Sequence, residues 1–407
     1  MKIRPFRAIR PTREDAAFVA SVPYDVVDTA EAKALAAGND KSFLHVSRPE
    51  IDLPPGSDCS SDEAYAQAKR ALDSLISRGV LVQDDKPRLY AYRQTMGCHS
   101  QTGIVAVFDT QDYLNGVLKQ HEKTRRDKED DRTRHIEVLK AHTGPAFLTY
   151  RADPAIDAIV REACHREPLY DFVAPDCITH TVWEIGEPCG CMADELQELF
   201  ERISVAYIAD GHHRSAAASR YAKERNFEGE SRWYLAVAFP SNQLHILPYN
   251  RLVADLNGLT ESEFLSRVVE KFAIAQGIDA KHPSNFARHC KMYLNGKWFS
   301  LGWNIPEGAD VVSSLDVSYL QDSLLAPILG IGDPRTDRRI SFMGGIRGND
   351  ALSAKVDSGE AAVAFAMNPV TVDEMMAIAD AGAIMPPKST WFEPKLRSGL
   401  FVHSVEG

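Results

Sequence analysis

Five consecutive residues, Asp210-Gly211-His212-His213-Arg214, bring a carboxylate, two imidazoles and a guanidinium together around a glycine. An apolar, β-rich run (Val205–Ala209) precedes them, and a stretch of small and apolar residues with helical character (Ser215–Lys223) follows. That order marks a strand-to-helix junction. The first-turn N–H groups of a helix lack partners within it, and the macrodipole adds partial positive charge there, so the junction can bind an anion. Gly211 permits turn dihedrals closed to other residues and a near approach of backbone to ligand. His213 and Arg214 can donate to phosphate oxygens, Arg in a bidentate manner. Asp210 can cap the helix, hold Mg²⁺ or accept a proton from an attacking hydroxyl, and His212 joins it as a catalytic candidate. The plain alternative makes Asp210 an N-cap only, with both histidines in a polar surface turn. A zinc site through His212 and His213 is disfavoured, because neighbours on a helix diverge by about 100°.

Two further stretches have comparable chemistry. Gly116–Lys119 runs into His121-Glu122-Lys123-Thr124, where Glu122 can transfer a proton and Lys123 and Thr124 can meet phosphate oxygens. Met385-Pro386-Pro387-Lys388-Ser389-Thr390 forms a stiff turn presenting one ammonium and two hydroxyls. Taken singly, each is also ordinary surface composition. No Gly-rich Walker loop and no dinucleotide fingerprint occurs, which argues against a P-loop kinase and a Rossmann dehydrogenase. Cys189-Gly190-Cys191 has no matching second pair, so a zinc ribbon is not expected.

The elements that must position these residues follow from periodicity. Asp62–Arg78 reads as a helix with Ser61 as N-cap and Gly79 as its stop, and Gln101–Asp109 as a strand. A strongly charged helix runs to about Lys140, with Arg125, Lys128 and Arg132 on one face that is read as solvated. Glu261–Gln276 reads as one long amphipathic helix, Val317–Ile328 as another, and Arg339–Phe342 and Leu400–Ser404 as strands. Four segments result: 1–150 with the His-Glu-Lys-Thr motif, 151–258 with the Asp-Gly-His-His-Arg turn, an α/β subdomain over 259–355, and 356–407 packing back on the core.

A net charge of −11 argues against a protein built to grip a nucleic-acid backbone. No apolar run approaches the ~20 residues of a membrane span, and the first ten residues lack a signal-peptide core, so a cytoplasmic location is expected. Seven irregularly spaced cysteines fit reduced thiols rather than a disulfide framework.

The turn resembles the signature turn of the ParB and sulfiredoxin-like superfamily, in which a His-Arg pair contacts nucleotide phosphates. His212 stands where sulfiredoxins carry their reactive cysteine, so sulfinic-acid reduction is not implied. Its form, Asp before Gly and two histidines, is similar to that of the free serine kinases of this superfamily. Beyond the turn, the chain resembles domain-of-unknown-function family 1015 through Val22–Val27, His121–Thr124, Ala209–Arg214, Leu247–Arg251, Leu315–Val317 and Met385–Leu400. Ser215-Ala216 departs from the aromatic and acidic residues of many members, which leaves the acceptor open.

The resemblance implies an α/β (α+β) fold: a mixed-sheet ParB/sulfiredoxin-like core with an additional α/β subdomain. It also implies phosphorylation of a small hydroxyl acceptor, free L-serine, with ATP, ADP or pyrophosphate as donor. In that reading Gly211, His213, Arg214, Lys123, Thr124, Lys388, Ser389 and Thr390 meet phosphate. Glu122, Asp210 and His212 are catalytic, Asp210 is the candidate Mg²⁺ ligand, and Tyr24 and Asp25 help close the substrate pocket. A non-catalytic nucleotide-binding or regulatory module is the alternative, a nuclease or DNA-binding protein a more distant one. A homo-oligomer is compatible with all of these.

Overall fold

The strand His99–Asp109 runs through Ile104-Val105-Ala106-Val107-Phe108, every one of them buried. A strand covered on both faces reads as a continuous apolar run, and this one is central to a nine-stranded sheet. In a computed structural model of the chain, which describes residues 1–186, 191–277 and 286–406, the backbone divides into two compact units. One comprises Met1–Leu244 with Pro394–Gly407, the other His245–Glu393.

In the first unit the sheet order is Leu118–Lys119, Ala206–Asp210, Ala146–Tyr150, Trp233–Pro240, His99–Asp109, Leu89–Met96, Thr179–Ile185 and Tyr170–Val173. Ile3–Arg4 pairs off this path with His99–Asp109. Two pairings are parallel: Ala206–Asp210 with Leu118–Lys119, and Trp233–Pro240 with Ala146–Tyr150. The others are antiparallel, so the sheet is mixed and the fold is α/β. One apolar face takes Ile104, Ala106, Phe108, Leu148 and Ile208 and is covered by Ile156, Leu196, Leu199 and Phe200 from Pro154–Ala163 and Cys191–Glu201. The helix Asp62–Ser77 starts where Ser61 Oγ accepts the Ala64 N–H, and Gly79 follows its end at φ 71°.

The chain returns to this unit through Pro394–Gly407. His403–Ser404 pairs with Ala141–His142, and Ser21 and Ser398 exchange backbone hydrogen bonds of 3.0 and 2.8 Å. Val405 packs with Ile136, Ala217 and Tyr221.

The second unit holds a six-stranded sheet in the order Ala273–Gln276, Lys297–Trp303, Arg288–Leu294, Val363–Ala366, Tyr249–Val253 and Ile340–Gly344, all antiparallel. Its first and last segments, His245–Leu247 and Trp391–Glu393, pair with each other.

Several sequence expectations are corrected. The helix expected over Glu261–Gln276 ends at Val269, and Ala273–Gln276 is a strand hydrogen-bonded opposite Phe299–Gly302. Cross-strand pairing overrides the helical period there. Val317–Ile328 is helical only over Asp316–Leu320 and then widens into a π turn, Gln321–Leu325, which keeps Leu320, Leu324 and Leu325 buried together. The last strand is confined to His403–Ser404. Arg125, Lys128 and Arg132 do not share a solvated face: the helix is Arg126–Leu139, and the Arg132 side chain is only 13% exposed. Five cysteines are free thiols, but Cys191 is disulfide-bonded, against the expectation of reduced cysteines throughout. Cys189 and Gly190 lie outside the described residues. No described helix is long and apolar enough to cross a membrane.

Candidate active site

The strand Ala206–Asp210 leaves the sheet through a register shift between Ile208 and Asp210. Gly211 then takes φ 86°, ψ 32° as N-cap of the helix His212–Lys223. A left-handed conformation favours glycine, and a second constraint acts on the same atom. A Cβ at Gly211 would lie 2.9 Å from Arg214 Nε. The bare α-carbon therefore lets the Arg214 guanidinium fold back over the turn. Of the roles open to Asp210 from sequence, capping is excluded, since Gly211 occupies the N-cap position.

Arg214 NH1 donates to the Pro145 carbonyl, NH2 lies 3.4 Å from Asp210 Oδ2, and the same nitrogen is 3.9 Å from Asp25 Oδ2. Lys395 Nζ approaches Asp210 Oδ2 to 3.6 Å. Burial alone would push the Asp210 carboxyl up. The Lys395 ammonium and Arg214 guanidinium outweigh it and hold the group well below the usual carboxylate range. Asp210 is thus an ionised carboxylate between two cations, suited to fixing charge and poorly suited to taking a proton.

The parallel pairing of Leu118–Lys119 with Ala206–Asp210 sends both chains out at the same sheet edge, where α/β sheets commonly bind ligands. The two motifs therefore meet. The rings of His121 and His212 lie edge to face with centroids 4.6 Å apart, and the Arg125 N–H donates to His213 Nε2 at 3.0 Å. Burial pushes His121 down to about 4 and His212 well below its ordinary value, so both are neutral at pH 7. His212 Nε2 is buried with no hydrogen-bond partner. His213 is lowered by burial as well, and its Nε2 is an acceptor in this arrangement. Glu122 is half-buried and Lys123 exposed, while Thr124 Oγ1 donates to Glu129.

Tyr24 and Asp25 stand at the same turn. Asp25 faces Arg214 as given above, and the Tyr24 ring packs beneath the Arg132 guanidinium, Cζ 4.0 Å from its centroid. Burial raises the Tyr24 hydroxyl to about 12.

Lys388, Ser389 and Thr390 belong to the second unit. There Lys388 is exposed with Nζ 5.2 Å from the Tyr249 ring centroid, and its carbonyl accepts from Arg251 NH2 at 3.3 Å. Ser389 Oγ donates to the Pro386 carbonyl. The stretches Leu247–Arg251 and Met385–Thr390 are thus neighbours within that unit.

Two residues escaped the sequence reading. Lys395 lay inside a matching stretch, but nothing in its neighbours ties it to Asp210. Arg132 sits in a charge run that reads as solvated, although an Arg directly after Asp131 and four residues ahead of buried Ile136 marks the inward face. Among the described residues, no group of three His, Cys, Asp or Glu side chains could cage a metal ion.

A family described as "Protein of unknown function (DUF1015)" matches residues 3–318. No curated protein matches the chain. Among solved structures, SbnI with a C-terminal truncation from Staphylococcus aureus is similar at 11% identity and TM-score 0.40, over 74% of this chain and 89% of its own. A free serine kinase in complex with AMP is similar at 14% identity and TM-score 0.36, over 73% and 92%. A conserved hypothetical protein from Pyrococcus furiosus is similar at 12% identity and TM-score 0.35, over 74% and 95%.

Proposed function

The chain belongs to the family of unknown function DUF1015, and on that premise we propose that it is a phosphotransferase whose Asp210–Arg214 turn handles the transferred phosphate. The acceptor is a small hydroxyl compound, free L-serine, and the donor is pyrophosphate or a nucleotide (ATP or ADP). The observation that carries this reading is the ionised Asp210 held by Lys395 and Arg214 at the mouth of the Gly211 turn.

Phosphoryl transfer asks mainly for positioning and for charge stabilisation around the phosphates. Lys395, Arg214 and the free N–H groups of the helix His212–Lys223 supply positive potential. The acceptor oxygen bonds to the terminal phosphorus as the bond from phosphorus to the departing phosphate oxygen breaks, and the hydroxyl proton passes to a carboxylate. Glu122 takes that proton in this reading, because Asp210 is held too acidic to be an effective base. Asp210 would instead be the residue to hold Mg²⁺, an ion that needs only one or two protein carboxylates. Such an ion would neutralise charge on the donor.

Incubation of the protein with L-serine, Mg²⁺ and each of ATP, ADP and pyrophosphate should yield O-phosphoserine, read by mass spectrometry. Nucleotide binding with no product from any donor would instead favour a non-catalytic binding module.

A further inference from the structure

Behind the Arg214 guanidinium lies a partly open cavity of about 40 Å³, lined wholly by residues of the first unit. Its walls carry two guanidiniums, Arg132 and Arg214, and no described carboxylate. Tyr24, Ser47, His135, His142, Thr143 and Ser398 make up the rest of the polar lining, and Gly144 lines it without a side chain. Three atoms of these side chains are buried without a hydrogen-bond partner: Ser47 Oγ, His142 Nε2 and Arg214 Nε. Ser47 and His142 are 6% and 7% exposed. Arg214 Nε lies against Gly211, but buried polar atoms are rarely left unsatisfied, so Ser47 Oγ and His142 Nε2 on side chains lining one small void indicate something that satisfies them. The carboxylates nearest the guanidiniums act from outside the lining: Asp131 Oδ2 takes Arg132 through Nε and NH2, and Asp210 and Asp25 take Arg214 through NH2.

Space is kept open by Gly144. A Cβ there would come within 3.3 Å of Ser398 Oγ and 4.0 Å of Arg214. A void of this size holds about three waters, or one compact group of similar bulk. Planar guanidiniums match a planar carboxylate through paired N–H donors. Ser47 and Ser398 add hydroxyl donors, and His142, kept neutral by burial, offers acceptor capacity to an ammonium or hydroxyl on the same ligand.

We propose that the Arg132–Arg214 cavity is a binding site for the carboxylate of a small hydroxy or amino acid. Resting on the phosphotransferase reading, it is the acceptor's anchor. Arg214 serves both the cavity and the turn, so a carboxylate held on its inner side leaves the acceptor's hydroxyl to face Asp210. The site selects for acid-bearing acceptors over simple alcohols.

Calorimetric titration of the full chain with L-serine, L-lactate and acetate tests this, with ethanolamine as the amino alcohol lacking a carboxylate. Pyrophosphate is titrated separately to follow the donor site. At least one carboxylate should bind and ethanolamine should not. Arg132→Gln should weaken that carboxylate tenfold or more and leave pyrophosphate affinity unchanged. Gly144→Ala, which fills the cavity and removes no charge, should do the same, and it decides the matter if Arg132→Gln fails to fold. No binding of any carboxylate, ethanolamine binding as well as L-serine, or an unaltered affinity in Gly144→Ala would overturn the proposal. Inorganic phosphate as the only ligand lost in the variants would overturn the carboxylate assignment. The cavity and the chemistry fail separately: carboxylate binding lost in both variants, with no phosphorylated product from the parent, retains the site and discards the phosphotransferase.

Discussion

Replacing Lys395 by Met removes one of the two cations that hold Asp210 ionised, and the expected size of the effect follows from the geometry. At an effective dielectric near 20, charges 3.6 Å apart attract by about 4–5 kcal/mol. Two features reduce this. The Asp210 side chain keeps 29% of its exposure, and Arg214 remains 3.4 Å away to share the carboxylate. The coupling between Lys395 and Asp210 should then be about 1–2 kcal/mol. It is measured by a double-mutant cycle on Lys395→Met, Asp210→Asn and the combination, through urea unfolding at pH 7. The Lys395→Met loss alone, about 1–3 kcal/mol, should lower Tm by about 2–10 °C. The pH dependence supplies a second check. A carboxyl depressed in the folded state contributes stability that is complete above its ordinary value of about 3.9 and is lost as pH falls toward the depressed one. The coupling should therefore stay constant from pH 8 to 5 and decline only below about 4. Losses that add to within about 0.3–0.5 kcal/mol would refute the reasoning. So would a coupling that fades between pH 7 and 5, which would place the titration on a neighbouring imidazole.

The remaining predictions concern the turn and the buried histidines. Gly211→Ala must place a side chain at φ 86° and within 2.9 Å of Arg214 Nε. A stability loss of about 1–2 kcal/mol is expected, with a fall in phosphotransfer of tenfold or more because the guanidinium is displaced; parent-like Tm and product yield would count against it. His121 and His142, both lowered by burial to about 4, and His135 and His403, lowered by burial to about 3, stay neutral in the fold. For a base depressed in this way, stability is complete above its unfolded value near 6.5 and is lost as pH falls below it, by about 1.4 kcal/mol per pH unit for each group. Unfolding at pH 5 should take up several protons, read from unfolding enthalpies in buffers of different ionisation enthalpy; an uptake below one proton would contradict the burial of these rings.

What was legible in the sequence was local. Asp210–Arg214 announces its strand, glycine and helix within fifteen residues or so, and the observed helix begins at His212, sooner than its apolar periodicity indicates. The meeting of His121 with His212 depends on a two-residue parallel strand, Leu118–Lys119, too short to carry any period. Lys395 is placed by long-range contacts of the returning strap Pro394–Gly407: Gln94 Nε2 donates to its carbonyl at 2.7 Å, and Arg397, two residues on, donates to His180 Nε2 at 3.0 Å. No spacing rule connects such residues. Arg132 was misread because a charged helix looks solvated all round when half its charges are interleaved with acids, whereas Tyr24 covers one of them.

The pairing of His245–Leu247 with Trp391–Glu393 has an energetic consequence for Lys395. While the second unit is folded, its two ends are hydrogen-bonded partners, and the strap carrying Lys395 is tethered as if by a connection of almost no length. Were that unit to unfold, the same strap would close a loop of about 150 residues, at an entropic cost on the order of 4 kcal/mol by the logarithmic scaling of loop length. Chain connectivity alone thus links the integrity of His245–Glu393 to the effective concentration of an ammonium beside Asp210. A lesion far along the sequence can therefore loosen the turn by lengthening its tether.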